Sequence, residues 1–262
     1  MNIDLQGKRA LVCGSTQGIG KAVAIELSRM ECNVTLLARN EILLQQTIKE
    51  LDAYRGQNHD YICADYTNPQ DLKEKIEKYI REKNSFQILV NNTGGPPAGP
   101  VMNAKVEEFF QAFNNHLICN HILATSCIEG MKHANYGRII NIISTSVKQP
   151  IKGLGVSNTV RAAVGNWSKT LSAEVAKHNI TVNNVLPGAT ITARLSNIID
   201  DRARKTGKSF NEITREMLTE IPAARFAEPD EIAFAVAFLA SPSAAYINGI
   251  NLPVDGGRTS CL

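Results

Sequence analysis

The sequence predicts an α/β fold in which a single doubly wound parallel sheet is covered by helices on both faces. Short apolar segments alternate along the chain with longer segments of helical periodicity. The short segments are continuously hydrophobic rather than alternating, which is typical of strands buried on both faces. Repeated strand–helix units with right-handed crossovers then give an open sheet between two layers of helices.

The N-terminal part of the chain contains the first two strand–helix units. We expect a strand over 9–13, because RALVC is short, apolar and followed at once by glycines. A helix is expected over 21–30, where apolar residues recur at helical spacing. The segment NVTLLA predicts a second strand over 33–38, and the apolar stripe of the next segment predicts a helix over 41–54. A short third strand is expected over 61–64.

The middle of the chain continues the alternation. A helix is expected from about Pro69, since proline is tolerated just inside a helix start. Strands are expected over 86–90 (FQILV) and 138–143 (RIINII), with a long helical region over 105–132 between them.

The C-terminal part completes the sheet and adds one long excursion. We expect a helix over 157–177, a strand over 181–186 and a last strand over 250–254. The polar, helical segment over 191–222 follows the carboxyl end of a strand, where a substrate lid would be placed. No linker, repeat or low-complexity tract divides the chain, so residues 1–262 are expected to form one domain.

Composition narrows the class of protein. Hydrophobic residues make up 44% of the 262 residues, an ordinary globular balance, and the net charge of +3 is too small to indicate binding to nucleic acid or an acidic membrane. The six cysteines form no C-x-x-C pair, and five lie in apolar segments where a thiol acts as a small hydrophobe. No signal peptide or apolar span of membrane length is found, so a cytoplasmic protein is expected.

A glycine-rich loop between the first strand and the first helix indicates a phosphate-binding site. Glycine lets the backbone turn sharply and approach a pyrophosphate closely, and a helix start presents free N–H groups to the anion. This context of strand, loop and helix predicts a Rossmann-type, NAD(P)-binding domain. The residues expected to bind the dinucleotide here are Gly14, Ser15, Thr16, Gln17, Gly18, Ile19 and Gly20.

The end of the second strand discriminates between the two nicotinamide cofactors. NAD-binding folds often place an acid there for the ribose hydroxyls. This chain has Arg39 and Asn40 instead, and a guanidinium can pair a 2′-phosphate through two parallel hydrogen bonds. The sequence therefore favours NADP(H) over NAD(H) and assigns Arg39 and Asn40 to the cofactor site.

The chain resembles the short-chain dehydrogenase/reductase family over nearly its whole length. Four motifs carry the resemblance: Gly14-x-x-x-Gly18-x-Gly20, Asn91-Asn92-Thr93-Gly94, the strand that ends at Ser144, and Pro187-Gly188 followed by Thr192. Within the family it looks most similar to the 3-oxoacyl-acyl-carrier-protein reductase group.

The resemblance implies further cofactor contacts. Asp65 would contact the adenine amine, while Asn91 and Gly94 would lie beneath the adenosine part of the cofactor and support it. Pro187, Gly188 and Thr192 would lie near the nicotinamide, with Thr192 on its carboxamide. It also implies a small-molecule or acyl-thioester substrate and a homotetramer or homodimer.

The sequence departs from the family at the proton donor. Ser144 matches the serine that holds the substrate carbonyl, but thirteen residues later stands Ser157 in place of the tyrosine, and four further on Arg161 replaces the lysine. The family's asparagine on an earlier helix corresponds to His116, although Asn114 and Asn115 precede it directly. A serine hydroxyl is a far weaker acid than a phenol, and an arginine cannot relay protons.

Two functional hypotheses follow from this departure. In the first, the chain is an NADP(H)-dependent reductase in which Ser144 and Ser157 polarise the carbonyl and His116, with a pKa near neutral, feeds protons. In the second, it binds NADP(H) as a weak or inactive sensor or scaffold. A metal site is not expected, because His116 and His121 are five residues apart instead of the four that a zinc-binding helix requires.

Overall fold

The computed structural model describes residues 1–261, and its centre is one parallel sheet of seven strands. The strands are β1 Arg9–Cys13, β2 Asn33–Ala38, β3 Asp60–Cys63, β4 Ile88–Asn91, β5 Gly137–Ile142, β6 Ile180–Pro187 and β7 Asn251–Val254. Their order across the sheet is β3-β2-β1-β4-β5-β6-β7, and every pairing is parallel. The predicted fold class is confirmed, and each predicted strand is present within two residues of its expected ends.

Helices cover both faces of this sheet. They are α1 Gly18–Arg29, α2 Glu41–Thr47, α3 Pro69–Lys83, α4 Val106–Phe113, α5 Cys119–His133, α6 Gly155–Val175, α7 Ala193–Thr206, α8 Phe210–Thr219 and α9 Pro229–Ala240. On β1, Val12 packs into the apolar layer that contains Leu27 of α1 and Val236 of α9. Its neighbour Leu11 packs into the opposite layer with Leu123 of α5. Successive strand residues thus bury their side chains on opposite faces, which explains the continuous hydrophobicity of the strands.

The first helix begins at Gly18, three residues before its expected start, and two further helices are shortened or interrupted. The helix expected over 41–54 ends at Thr47 and passes through a 3₁₀ turn at Ile48–Glu50. After that turn the Ser28 hydroxyl accepts a hydrogen bond from the Asp52 backbone N–H, a contact distant in sequence that holds the chain outside a helix. The long helix expected over 105–132 is interrupted by a π-helical turn at Asn114–Ile118.

The excursion over 191–222 folds as a pair of helices. Leu195 and Ile199 of α7 pack against Ile213 of α8 in a small apolar cluster of their own. The segment therefore has its own packing and lies beside the carboxyl end of β6. Within residues 1–261, no helix has the length and hydropathy needed to cross a membrane.

Candidate active site

The predicted site residues gather at the carboxyl edge of the sheet. The chain leaves β1 toward β2 and β3 on one side and then crosses back to β4 on the other side. This reversal beside β1 opens a crevice, which is where open α/β sheets bind ligands. Because the strands are parallel, the loops that follow the first six strands all lie along this edge.

The loop after β1 has the tight geometry that the glycines predict. Gly14 and Gly18 have φ values of +57° and +52°, a region that favours glycine. A methyl group at Gly20 would lie 2.2 Å from the Gly14 carbonyl oxygen. No side chain caps the start of α1, and its first turn contains no acidic residue, so its N–H groups and positive end remain available to an anion.

Two of the predicted cofactor residues have side chains that serve the scaffold. Ser15 is fully buried, and its hydroxyl donates to the Leu37 carbonyl of β2 at 3.4 Å. Asn91 is also buried, whereas the next residue, Asn92, lies against the glycine loop and donates to the carbonyls of Cys13 and Gly14. Asn92, which the sequence analysis left out of the site, is therefore the asparagine that shapes the loop.

Asn91 begins a row of asparagines that crosses four strands, all buried except the half-buried Asn251. Its Nδ2 donates to Asn141 Oδ1 at 2.8 Å, and Asn141 Nδ2 donates to Asn184 Oδ1 at 3.0 Å and to Ser168 Oγ of α6 at 2.9 Å. Asn184 Nδ2 donates in turn to Asn251 Oδ1 at 2.8 Å. The four residues pair in register across β4, β5, β6 and β7. We call them the asparagine ladder.

The residues expected to contact the adenosine part of the cofactor follow the ends of β2, β3 and β4 at the same edge of the sheet. Arg39 is exposed directly after β2, and Asn40 caps α2 by accepting from the Leu43 backbone N–H. Asp65 follows β3, and one of its carboxylate oxygens accepts from the Thr67 backbone N–H at 2.9 Å. Gly94 borders open space, since a methyl group there would meet no atom of residues 1–261 within 4 Å.

The segment after β6 comes close to the glycine loop. Gly188 packs so tightly on Asp255 that a methyl group would lie 2.7 Å from its Cα atom. Thr192 caps α7 by accepting from the Leu195 backbone N–H. A methyl group at Gly18 would be 3.1 Å from the Thr192 side chain, so the loop after β1 and the segment after β6 touch across the crevice.

The end of β5 and the helix α6 hold three further predicted site residues: Ser144, Ser157 and Arg161. Ser144 follows β5, and its Oγ accepts from the Ser146 backbone N–H at 3.1 Å, which leaves its hydroxyl hydrogen free to donate. Ser157 and Arg161 are buried one turn apart on α6, and the Arg161 Nη1 donates to the Ile142 carbonyl at 2.9 Å. This bond ties α6 to the end of β5, two residues before Ser144.

His116 lies in the π-helical turn between α4 and α5. It is 2% exposed, whereas Asn114 is exposed and Asn115 is half-buried and bonded to Gln111, so the histidine is the residue that faces inward. Burial above all, together with the charges of Arg161 and Arg194, lowers the pKa of His116 to about 2, although a hydrogen bond with the Gly94 backbone acts in the opposite direction. The expectation of a pKa near neutral is wrong, because desolvation and two guanidinium groups disfavour the imidazolium.

Arg194 is a site residue that sequence reasoning missed. It stands in the first turn of α7, and its Nη1 and Nη2 donate to the carbonyls of Gly95 and Pro96, at 3.3 and 2.8 Å. It thereby joins the lid segment to the loop after β4. Its position two residues after Thr192 is the only feature of the sequence that could have assigned Arg194 to the site. An ordinary surface arginine could occupy the same position.

Comparisons with known proteins agree with this geometry. Residues 14–259 match the family model described as enoyl-(acyl carrier protein) reductase. The 3-oxoacyl-[acyl-carrier-protein] reductase FabG of Vibrio cholerae is 34% identical over 255 residues, which are 97% of this chain and 98% of that protein. The NADPH-dependent reductase BacG of Bacillus subtilis is 28% identical over 256 residues, with 97% and 99% covered. The structure of L-sorbose reductase from Gluconobacter frateurii, complexed with NADPH and L-sorbose, matches with a TM-score of 0.93 and 29% identity, covering 100% of both chains.

Proposed function

The chain belongs to the short-chain dehydrogenase/reductase family, and from this we propose that it is an NADP(H)-dependent oxidoreductase that reduces a carbonyl group to an alcohol. The carbonyl belongs to a 3-oxoacyl thioester or another ketone. The observation that carries the proposal is that Arg161 links the three candidate catalytic residues: it bonds to the end of β5 two residues before Ser144, stands one turn from Ser157 on α6, and its charge acts on His116.

The crevice fits NADP(H). Gly14 and Gly20 let the loop after β1 fold tightly on itself and on Asn92, and the uncapped start of α1 follows this loop. Arg39 is exposed at the end of β2 and forms no ion pair with residues 1–261, so its guanidinium is available to a 2′-phosphate. Thr192 and Pro187 would line the nicotinamide end of the same crevice. NADPH supplies the hydride when it is bound.

The protein's own groups polarise the carbonyl. The Ser144 oxygen accepts from Ser146 and its hydroxyl hydrogen remains free to donate, while Ser157 stands on α6, the helix that Arg161 ties to the end of β5. Hydroxyl donors fixed before the reaction stabilise the negative charge that develops on the carbonyl oxygen. The buried charge of Arg161 favours that oxyanion and remains present at neutral pH, since its pKa falls only to about 10.

The proton must reach the alcohol without a phenol. A neutral imidazole can donate from one ring nitrogen while it accepts on the other, so His116 can pass a proton from water without ever storing one. We propose the route from water through His116 to the Ser157 hydroxyl and on to the product oxygen. Ser144 positions the same oxygen through its own hydroxyl hydrogen.

Variants of the three residues test the proposal. Ser144→Ala, Ser157→Ala and His116→Ala are compared with Thr159→Ala, an exposed hydroxyl on α6 two residues from Ser157. The first three should each lower kcat at least about tenfold, since one lost oxyanion donor costs roughly 10²–10³ in rate, while Thr159→Ala should match the wild type. NADPH binding without oxidation, across 3-oxoacyl thioesters and ketones, would favour a sensor or scaffold and contradict the proposal.

We further propose that the protein is a homo-oligomer, a tetramer or dimer, of the cytoplasm. Tyr246 is fully exposed near β7 and Phe234 of α9 is 52% exposed, so large apolar groups are left at the surface on this side. Cysteines 13, 32, 63, 119, 127 and 261 are all free thiols, in keeping with a reducing compartment. Light scattering of the purified protein would decide the oligomeric state.

A further inference from the structure

Two arginine side chains lie at the candidate active site without an acidic partner. Arg161 is 8% exposed, and its Nε is buried with no hydrogen-bond partner among residues 1–261. Arg194 is exposed, and each of its two Nη atoms donates one hydrogen bond, to the carbonyls of Gly95 and Pro96. Neither arginine forms an ion pair with any carboxylate of residues 1–261.

The two guanidinium groups are close enough to affect each other. Burial lowers the pKa of Arg161 to about 10, and the charge of Arg194 contributes in the same direction. Both charges also lower the pKa of His116. A buried cation without a carboxylate costs free energy, and that cost falls when an anion binds beside it.

Three other cations of the lid segment are neutralised within the lid itself. Arg202 and Lys208 both pair with Glu216 of α8, and Arg204 pairs with Asp201 of α7. Asp201 acts on Arg194 through longer-range electrostatics, but its ion pair is with Arg204. Arg194 differs from these three because its partners are the backbone carbonyls of the loop after β4, which leaves its charge available to a ligand at the site.

The geometry points to an anionic substrate. We propose that the substrate carries a carboxylate or phosphate group besides its carbonyl, and that Arg194 and Arg161 bind this anion while Ser144 and Ser157 hold the carbonyl. The inference rests on the proposed reductase function. Guanidinium groups suit both anions, since each offers planar pairs of N–H donors to oxygen atoms.

Matched substrates isolate the contribution of the negative charge. NADPH oxidation is measured with 3-oxobutanoate against methyl 3-oxobutanoate, and with dihydroxyacetone phosphate against dihydroxyacetone. The wild type should show a kcat/KM at least about tenfold higher for the charged member of one pair, and the preferred pair identifies carboxylate or phosphate. Arg194→Gln should lower the charged-to-neutral ratio of kcat/KM about 10- to 100-fold, as expected for a lost hydrogen bond to a charged group; the lost bonds to Gly95 and Pro96 affect both members alike and cancel in this ratio.

Lys205→Gln is the matched control, because it removes one positive charge from an exposed position on the same helix. It should leave the charged-to-neutral ratio unchanged. Equal kcat/KM for charged and neutral members would overturn the anionic-substrate inference while the reductase function stands. A rise in the Kd for NADPH in Arg194→Gln would also overturn it, since Arg194 would then bind the cofactor.

A binding measurement separates this inference from the reductase function. With NADP⁺ present, succinate should raise the Tm of the wild type but not of Arg194→Gln, and dimethyl succinate should raise neither. That result without oxidation of any ketone would support the anion site and contradict the reductase. No stabilisation of the wild type by succinate or by inorganic phosphate would overturn the anion site.

Discussion

The asparagine ladder makes a large prediction for stability. Asn141 forms three side-chain hydrogen bonds, with Asn91, Asn184 and Ser168, and all four side chains are buried. Asn141→Ala would leave Asn91 Nδ2 and Asn184 Oδ1 without partners, while Ser168 keeps its bond to the Val164 carbonyl. Each buried group left unpaired costs about 1–3 kcal/mol, so the free energy of unfolding should fall by about 2–6 kcal/mol.

The control is Asn251→Ala at the half-buried end of the ladder. It removes one hydrogen bond and leaves one donor, Asn184 Nδ2, without its partner, so a loss of about 1–3 kcal/mol is expected. Urea unfolding followed by the fluorescence of Trp167 gives both values, and the m-value should stay unchanged if the folded states are equally compact. If Asn141→Ala cost no more than Asn251→Ala, the ladder would not be a cooperative element of the core.

Three further predictions concern the crevice. Gly20→Ala places a methyl group 2.2 Å from the Gly14 carbonyl oxygen, and relieving that overlap, at about 1–3 kcal/mol, should weaken NADPH binding about tenfold or more in a fluorescence titration; unchanged affinity would show that the loop does not contact the cofactor. Arg39→Gln should weaken NADPH binding about tenfold or more and leave NADH binding unchanged; an equal loss for both would place the arginine away from the 2′-phosphate. The pKa of His116 is lowered from 6.5 to about 2, so its neutral form contributes stability that is present above pH 6.5 and is lost as the pH falls. When the pH falls from 8 to 4.5, the Tm of the wild type should therefore decrease more than the Tm of His116→Gln. Parallel plots of Tm against pH would contradict a buried neutral imidazole.

Much of the fold follows from patterns that are local in sequence. The bounds of β1 and β2 agree with the prediction, because RALVC and NVTLLA are apolar runs that end at a glycine loop and at Arg39. The non-helical course of the chain at Asp52 could not be predicted, since Asp52 is held there by Ser28, a residue far away in sequence. The asparagine ladder was also missed, because asparagines on separate strands become neighbours only once the register is set.

The candidate site divides in the same way. The glycine loop was predicted because its conformation is a property of the glycines themselves. The pKa of His116 was not, since it depends on burial and on two arginines distant in sequence. The π-helical turn that directs His116 inward leaves no mark in the hydrophobic pattern of residues 105–132. Arg194 joins the site through carbonyls of the loop after β4, a contact that only the folded chain reveals.

Hydride transfer itself is the most direct test of the proposed function. NADPH carrying deuterium at C4 of the nicotinamide, in each of its two stereoisomers, is incubated with the protein and a ketone that supports oxidation in the substrate panel. We expect one isomer to deliver one deuterium atom to the carbinol carbon of the alcohol, detected by mass spectrometry, and Ser144→Ala to slow the transfer. Tight binding of NADPH with no labelled alcohol from any ketone or 3-oxoacyl thioester would contradict it.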